Sequence, residues 1–332
     1  MKHFCAFFLV LGAITASVKA DLLVAGLDTG TASVQSTVLK FDGTGSRVTA
    51  FAPGELGEDV QALAVGPGNS IYAVQNVVGE TMVSVLDPQT GAVVGGTGNN
   101  PIRDSGGTYC WGAMGAAVGP DGYLYIGSAN NGESDTACNV FRVNTSTWAA
   151  SQYMTITGTA PSSTESVAFG PDYNLYFDGS TPSSDYVWKY NTTTKSLSVL
   201  MGPGVGGLGF TFGPGGNIFV NDYNSVQEYS SSGSFIGTFV ASGSGGLNHA
   251  MDLKFGPDGN LYVDDIGNDE ILRYNGSTGQ FMDVFVTTAA LGDGSGGTYD
   301  PLRIAFVPEP TMMLPILLVI PLLRRAPRSA HR

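Results

Sequence analysis

His249, Asp300 and Asp59 share one spacing. Each lies seven residues before a recurring landmark: the glycine of a Gly-Pro pair at Gly256 or Gly66, or Val307, which stands in that glycine's place. An imidazole near carboxylates is the minimal set for proton transfer. The same count elsewhere gives Gly112, Ser163 and Gly206, so only three of six positions carry such groups. His249 is the only histidine between the two terminal segments, which excludes a histidine-rich metal site and makes any acid-base pair depend on this one ring. Glu165 lies five residues before Gly170 and is a further candidate acid or base. Its equivalents are Gln61, Met114, Leu208, Met251 and Leu302, too apolar for a ring of metal ligands.

A second cluster, DDIGNDE from Asp264 to Glu270, offers Asp264, Asp265 and Asp269 to a calcium ion. It lacks the twelve-residue helix-loop spacing of a dedicated calcium loop, and a turn needs Asn, Asp and Gly there in any case. Calcium is the one cofactor the composition suggests. GPGVGG from Gly202 runs into another strand, LGFTF, rather than a helix, so no dinucleotide site follows.

These groups must be positioned by repeated elements. GPGNSIYAV, GPDGYLYIGS, GPDYNLYFDG, GPGGNIFVND and GPDGNLYVDD begin at Gly66, Gly119, Gly170, Gly213 and Gly256, at intervals of 53, 51, 43 and 43 residues. Periods of about 40 to 50 mark propeller blades. Within one period MDLKF, NLYVDD, EILRYN and QFMDVFV read as four short strands joined by turns. A sixth unit is split: DLLVAG, STVLKFDG and RVTAFA supply its last three strands, and LRIAFV (Leu302 to Val307) its first. The expected fold is therefore all-β, a six-bladed β-propeller closed by pairing of the C-terminal strand with the N-terminal blade. Closure of this kind removes exposed strand edges.

In a propeller the loops that lead into each inner strand share one face with those joining the second and third strands. The longest are RDSGGTYCWGAM, SANNGESDTACN, GSGGLNHAM and GDGSGGTYDP. Long loops of this sort carry function. Cys110 and Cys138 fall in two of them on the third blade, and an exported setting predicts a disulfide worth about 3.5 kcal/mol. Of 332 residues 47 are glycine, 42% are apolar and 13% are charged, which suits a turn-rich β protein with a real core. Between Asp21 and Val307 nine basic side chains face 27 acidic ones, a net charge of about −18. That charge repels phosphate backbones and excludes nucleic acid as a partner.

Both ends read as addresses. Residues 1–20 have a basic start at Lys2, an apolar run from Phe4 to Ile14 and Val18-Lys19-Ala20, the pattern read by signal peptidase. At the other end an apolar run from Thr311 to Leu323 precedes four arginines. Thirteen helical residues span only about 20 Å of a hydrocarbon core about 30 Å thick. Pro315 and Pro321 also disfavour a helix, so the run suits transient membrane retention.

The tail resembles a PEP-CTERM sorting signal: Val307-Pro308-Glu309-Pro310, a short apolar segment, then Arg324-Arg325. The resemblance covers about 26 residues. It implies export in a Gram-negative-type bacterium, recognition by the membrane enzyme exosortase, removal of the tail and delivery to the cell surface or extracellular polymer matrix. GSGGLNHAMDLKFGPDGNLYVDDIGNDEILRYN resembles NHL repeats, which implies that Asp265, and Asp222 one unit earlier, tie down the turns that follow them. Some six-bladed relatives are lactonases or lyases, with virginiamycin B lyase a distant comparison. The expected domains are a signal peptide (1–20), the propeller (21–307) and the sorting tail (308–332, its motif beginning at Val307). The expected role is a binding or structural module that meets extracellular polysaccharide or matrix protein through its loop face. The alternative is a hydrolase or lyase using loop-face carboxylates and His249.

Overall fold

The computed structural model describes residues 20–28, 35–51, 56, 60–77, 79–110, 112–128, 138–156, 164–181, 184–205, 209–292 and 299–308. Asp59, Glu309, Pro310, Arg324 and Arg325 lie outside them, as do the signal segment before Ala20 and the side chains of Cys138 and Asp300.

Twenty-four strands form six antiparallel sheets of four. The first blade holds β1 (Ala20–Asp28), β2 (Gln35–Phe41) and β3 (Arg47–Phe51). Blade two runs β4 (Val60–Val65), β5 (Ile71–Val77), β6 (Glu80–Leu86), β7 (Val93–Gly96), and blade three β8 (Gly115–Val118), β9 (Leu124–Gly127), β10 (Cys138–Val143), β11 (Ala150–Ile156). Blade four comprises β12 (Ser166–Phe169), β13 (Leu175–Ser180), β14 (Asp185–Asn191) and β15 (Ser196–Met201). Blade five comprises β16 (Phe210–Phe212), β17 (Ile218–Asp222), β18 (Ser225–Tyr229) and β19 (Phe235–Val240). Blade six has β20 (Ala250–Phe255), β21 (Leu261–Asp265), β22 (Glu270–Tyr274) and β23 (Phe281–Val286). The last strand, β24 (Tyr299–Pro308), returns to blade one, whose order is β24-β1-β2-β3. Leu22 pairs with Phe306 and Val24 with Ile304, so the split sixth unit forms as the sequence predicts.

The repeated decapeptide has a steric cause. A Cβ on Gly66, Gly119, Gly170, Gly213 or Gly256 would come within 2.5 to 2.8 Å of the aromatic ring six residues on, closer than carbon atoms approach. That ring lies against the next blade. Tyr125 meets Phe169, Tyr176 meets Phe212, Phe219 meets Phe255 and Tyr262 meets Phe306, each edge to face with centroids 4.9 Å apart. Edge-to-face pairs add about 0.5–1.5 kcal/mol to the area they bury. The aspartate of the turn fixes the ring from its polar end: the hydroxyls of Tyr125, Tyr176 and Tyr262 donate to Asp121, Asp172 and Asp258 at 2.9, 2.9 and 3.0 Å. Arg142 and Lys189 then pair with Asp121 and Asp172.

Between blades six and one the core contains Tyr262, Ile271, Phe285, Leu22, Leu39 and Ile304. Such interfaces, rather than one central core, bury the apolar surface of the ring. The chain ends of the domain meet at the Gly-Pro-turn side, where Ala20 pairs with Pro308 and the Pro308 carbonyl accepts Asn69 Nδ2 at 2.6 Å. No helix among the described residues is long and apolar enough to cross a membrane.

Candidate functional site: the channel mouth and the loop face

Six inner strands surround a central cavity of about 390 Å³. Blades two and three line it with small residues, such as Ala62 and Gly115, whereas blades four, six and one bring Glu165, Asp252, Lys254 and Arg303. Asp252 and Arg303 are 4% and 6% exposed. Their charges are directed inward: Lys254 Nζ sits 2.5 Å from Asp252 Oδ1, and Asp252 Oδ2 accepts the Ile304 N–H of the neighbouring blade at 3.0 Å. Arg303 spans from blade one to blade three, donating Nε and Nη2 to the Met114 carbonyl at 3.3 and 3.1 Å and Nη1 to its neighbour Leu302 at 2.8 Å. At the loop end of the second strands, eight residues after each repeat glycine, blades four to six bury Asp178, Asn221 and Asp264. Asp178 accepts the Ser166 N–H, while neither oxygen of Asp264 has a hydrogen-bond partner. Burial, and then the nearby Asp252 charge, hold the Asp264 carboxyl well above the usual carboxylate range against the pull of Arg303.

The structure holds the three calcium candidates apart. Asp264 and Asp265 are successive strand residues and point to opposite faces. Asp265 spends Oδ1 on the Asn248 N–H (3.1 Å) and Oδ2 on Asn268 Nδ2 (2.9 Å). Asp269 sits beyond, in a turn with φ of 54°. Among the described residues no three acidic, histidine or cysteine side chains come together as a metal would require. Asp265 instead holds its turn, and Asp222 does likewise through Ser225 and Gln227.

His249 belongs to the loop face, above the boundary of blades five and six. Its ring stacks on Tyr223 with centroids 4.2 Å apart and planes inclined by 19°. Its backbone N–H donates to Asn224 Oδ1 at 3.0 Å. Both ring-bearing residues are left-handed, with φ of 74° and 51°, a conformation rare outside glycine and asparagine. Glu165 lines the cavity and Asp300 pairs with Leu27 in β24, so the structure does not assemble His249 and Glu165 into one constellation.

The Cys138 side chain, expected to bond Cys110, lies outside the described residues. Cys110 is a free thiol, wholly buried in the apolar interface of blades two and three. Burial pushes its thiol up to about 12, against a small opposing hydrogen bond from Thr81. A thiol so shifted is no nucleophile.

Positions five and seven before the glycine do not reach Asp252 and Arg303, which stand at position four, or Lys254 at position two, although all three line the cavity. The available signal was charge alternating with apolar residues in MDLKF and LRIAF, strands that are otherwise core.

Six closed four-stranded blades around a channel define a six-bladed β-propeller. No family model matches the chain. No curated protein matches its sequence. Similar solved structures include a chain of a nidogen/laminin complex (TM-score 0.61, 12% identity, 86% of this chain and 98% of that one). The periplasmic gluconolactonase PpgL of Pseudomonas aeruginosa gives 0.55 at 15% identity over 88% of this chain and all of the other. TolB of Acinetobacter baumannii gives 0.59 at 15% identity over 87% of this chain and 67% of its own. At such identities the likeness concerns the fold alone.

Proposed function

We propose that this chain is an exported, NHL-like propeller that signal peptidase and exosortase process through its PEP-CTERM-like tail, and that it binds polysaccharide at the cell surface or in the extracellular matrix through its loop face. The stacked pair Tyr223 and His249 carries the reading. Tyr223 is 54% exposed, and two adjacent non-glycine residues hold strained backbones on the same face. Strain of that kind persists where the side chains it presents are needed. A flat, rigid aromatic surface with a polar edge suits a sugar ring better than it suits proton transfer, since the carboxylate that feels the His249 ring, Asp265, is already engaged by Asn248 and Asn268. The domain ends lie at the Gly-Pro-turn side, so a chain tethered there turns its loop face outward.

The experiment is binding of the purified protein to glycan arrays and isolated matrix, with Tyr223→Ala and His249→Ala as variants. Saturable binding that both variants lose supports the module. Unchanged binding in both removes the loop-face assignment, and a folded His249→Ala protein that loses a hydrolytic or lyase activity establishes the enzyme reading instead.

A further inference from the structure

One turn recurs in four blades between the third and fourth strands, and two copies depart from glycine at its last position, one of them with a bulky aromatic residue. In DPQTG, NTSTW, NTTTK and NGSTG the leading Asp87, Asn144, Asn191 or Asn275 accepts, on its side-chain oxygen, the N–H groups two and three residues on. Its carbonyl accepts the N–H of the fifth residue at 2.8 or 2.9 Å. That fifth residue is left-handed throughout: Gly91 (φ 72°), Trp148 (59°), Lys195 (60°) and Gly279 (69°). Glycine adopts this conformation without penalty, whereas a bulky aromatic residue there is an outlier. Trp148 is therefore held against its backbone preference.

What it faces is a groove of about 580 Å³ on the flank of blades two and three. The wall opposite is the segment after β7, with Thr97, Asn100, Arg103 and Asp104. The Trp148 ring leans edge-on against Tyr72, centroids 6.4 Å apart, which fixes its plane. Asp104 is tied into its own loop, where Oδ1 accepts the N–H groups of Gly106 and Thr108, both at 2.9 Å. Arg103 is exposed, makes no ion pair among the described residues, and rests over Tyr109 with its guanidinium 5.6 Å from the ring centroid. Its Nη1 donates to the Tyr109 hydroxyl at 3.3 Å, and it shares the lack of an ion pair with Arg47, Lys195 and Arg303. The domain's three acidic side chains for each basic one repel a polyanion overall, so an acidic ligand here depends on the local charge of Arg103.

We infer that this groove binds a uronate residue of an acidic polysaccharide, the Trp148 ring against the sugar face and the Arg103 guanidinium on its carboxylate. An aromatic wall with a few convergent polar groups is the usual make-up of a small-ligand site, and arginine matches a carboxylate with two parallel N–H donors. The inference rests on the polysaccharide reading above but on a different surface, so the two fail separately.

The test measures binding of oligogalacturonate, its carboxyl-reduced neutral form and dextran to the full-length protein by calorimetry. The variants are Trp148→Gly, Arg103→Gln and Tyr223→Ala. Trp148→Gly installs the residue two sister turns carry, so circular dichroism and thermal midpoint serve as its folding control. The expected result is preference for the acidic oligomer, a loss of about tenfold or more in Trp148→Gly, the scale of one aromatic contact, and loss of the acidic-over-neutral preference in Arg103→Gln. Oligogalacturonate binding that is unchanged in both groove variants and lost in Tyr223→Ala overturns the groove and leaves the loop face standing. Binding lost in Trp148→Gly and kept in Tyr223→Ala supports the groove and removes the loop-face assignment. A folded wild type that binds none of the three overturns the groove.

Discussion

Asp252 and Ile304 stand on different blades, and the carboxylate of the first accepts the backbone N–H of the second at 3.0 Å. The same carboxylate neutralises Lys254. One side chain thus joins the sixth blade to the strand that closes the ring. Asp252→Ala leaves a buried N–H without its acceptor and a cation without its partner, and is expected to cost about 3 kcal/mol. Urea unfolding checks it; a midpoint equal to wild type would contradict the role.

Asp264 gives the protein a pH dependence of definite sign. Its folded carboxyl titrates well above 3.8, the ordinary value, so between the two the native state holds a proton that the unfolded chain has released. Stability at this site therefore falls as pH rises through that window. Asp264→Asn keeps the shape without the charge. It is expected to match wild type near pH 3.5 and to exceed it increasingly toward neutrality. Parallel urea midpoints for the two proteins from pH 3.5 to 7.5 would refute this.

Gly256→Ala should destabilise by about 1–3 kcal/mol through overpacking alone. The added Cβ lies 2.7 Å from Tyr262 Cε2 and 3.1 Å from Phe306 Cζ. Its backbone is not left-handed, so the loss is steric. The neighbour Tyr262→Leu, which removes the ring, should make the same glycine change milder, and a double-mutant cycle by thermal unfolding reads that coupling.

Cys110 should resist alkylation in the native state at pH 8, where its thiolate is scarce and its sulfur is buried, and react promptly once the protein is unfolded. Mass spectrometry after timed iodoacetamide treatment distinguishes this from a bonded cysteine, which stays unlabelled even in denaturant without reductant.

The architecture was legible in the sequence because its cause is local. Each repeat glycine is required by the ring six residues later, so the pair recurs wherever that packing recurs. The split blade was legible for the same reason: LRIAFV carries the strand pattern of its counterparts although its glycine is replaced. The channel was not, since which residue of a strand faces the axis depends on register, and β20 carries a bulge between Ala250 and Leu253. Asp264 was visible as an acid, but its isolation is a property of what packs around it. Trp148 lay in plain view as a copy of Gly91 and Gly279, and only its left-handed backbone shows that the substitution is strained. An exported setting predicts a bond at Cys110, whereas the core of blades two and three takes its side chain as a small apolar group, a placement that depends on packing rather than on spacing.

Pairing of Ala20 with Pro308 joins positions 288 apart in the chain. Synthesis delivers β1 first and β24 last, so every nascent or prematurely ended product is an open crescent with two raw margins. Completion of the ring is thus a length check written into the topology, which a shortened chain fails whatever the quality of its other five blades.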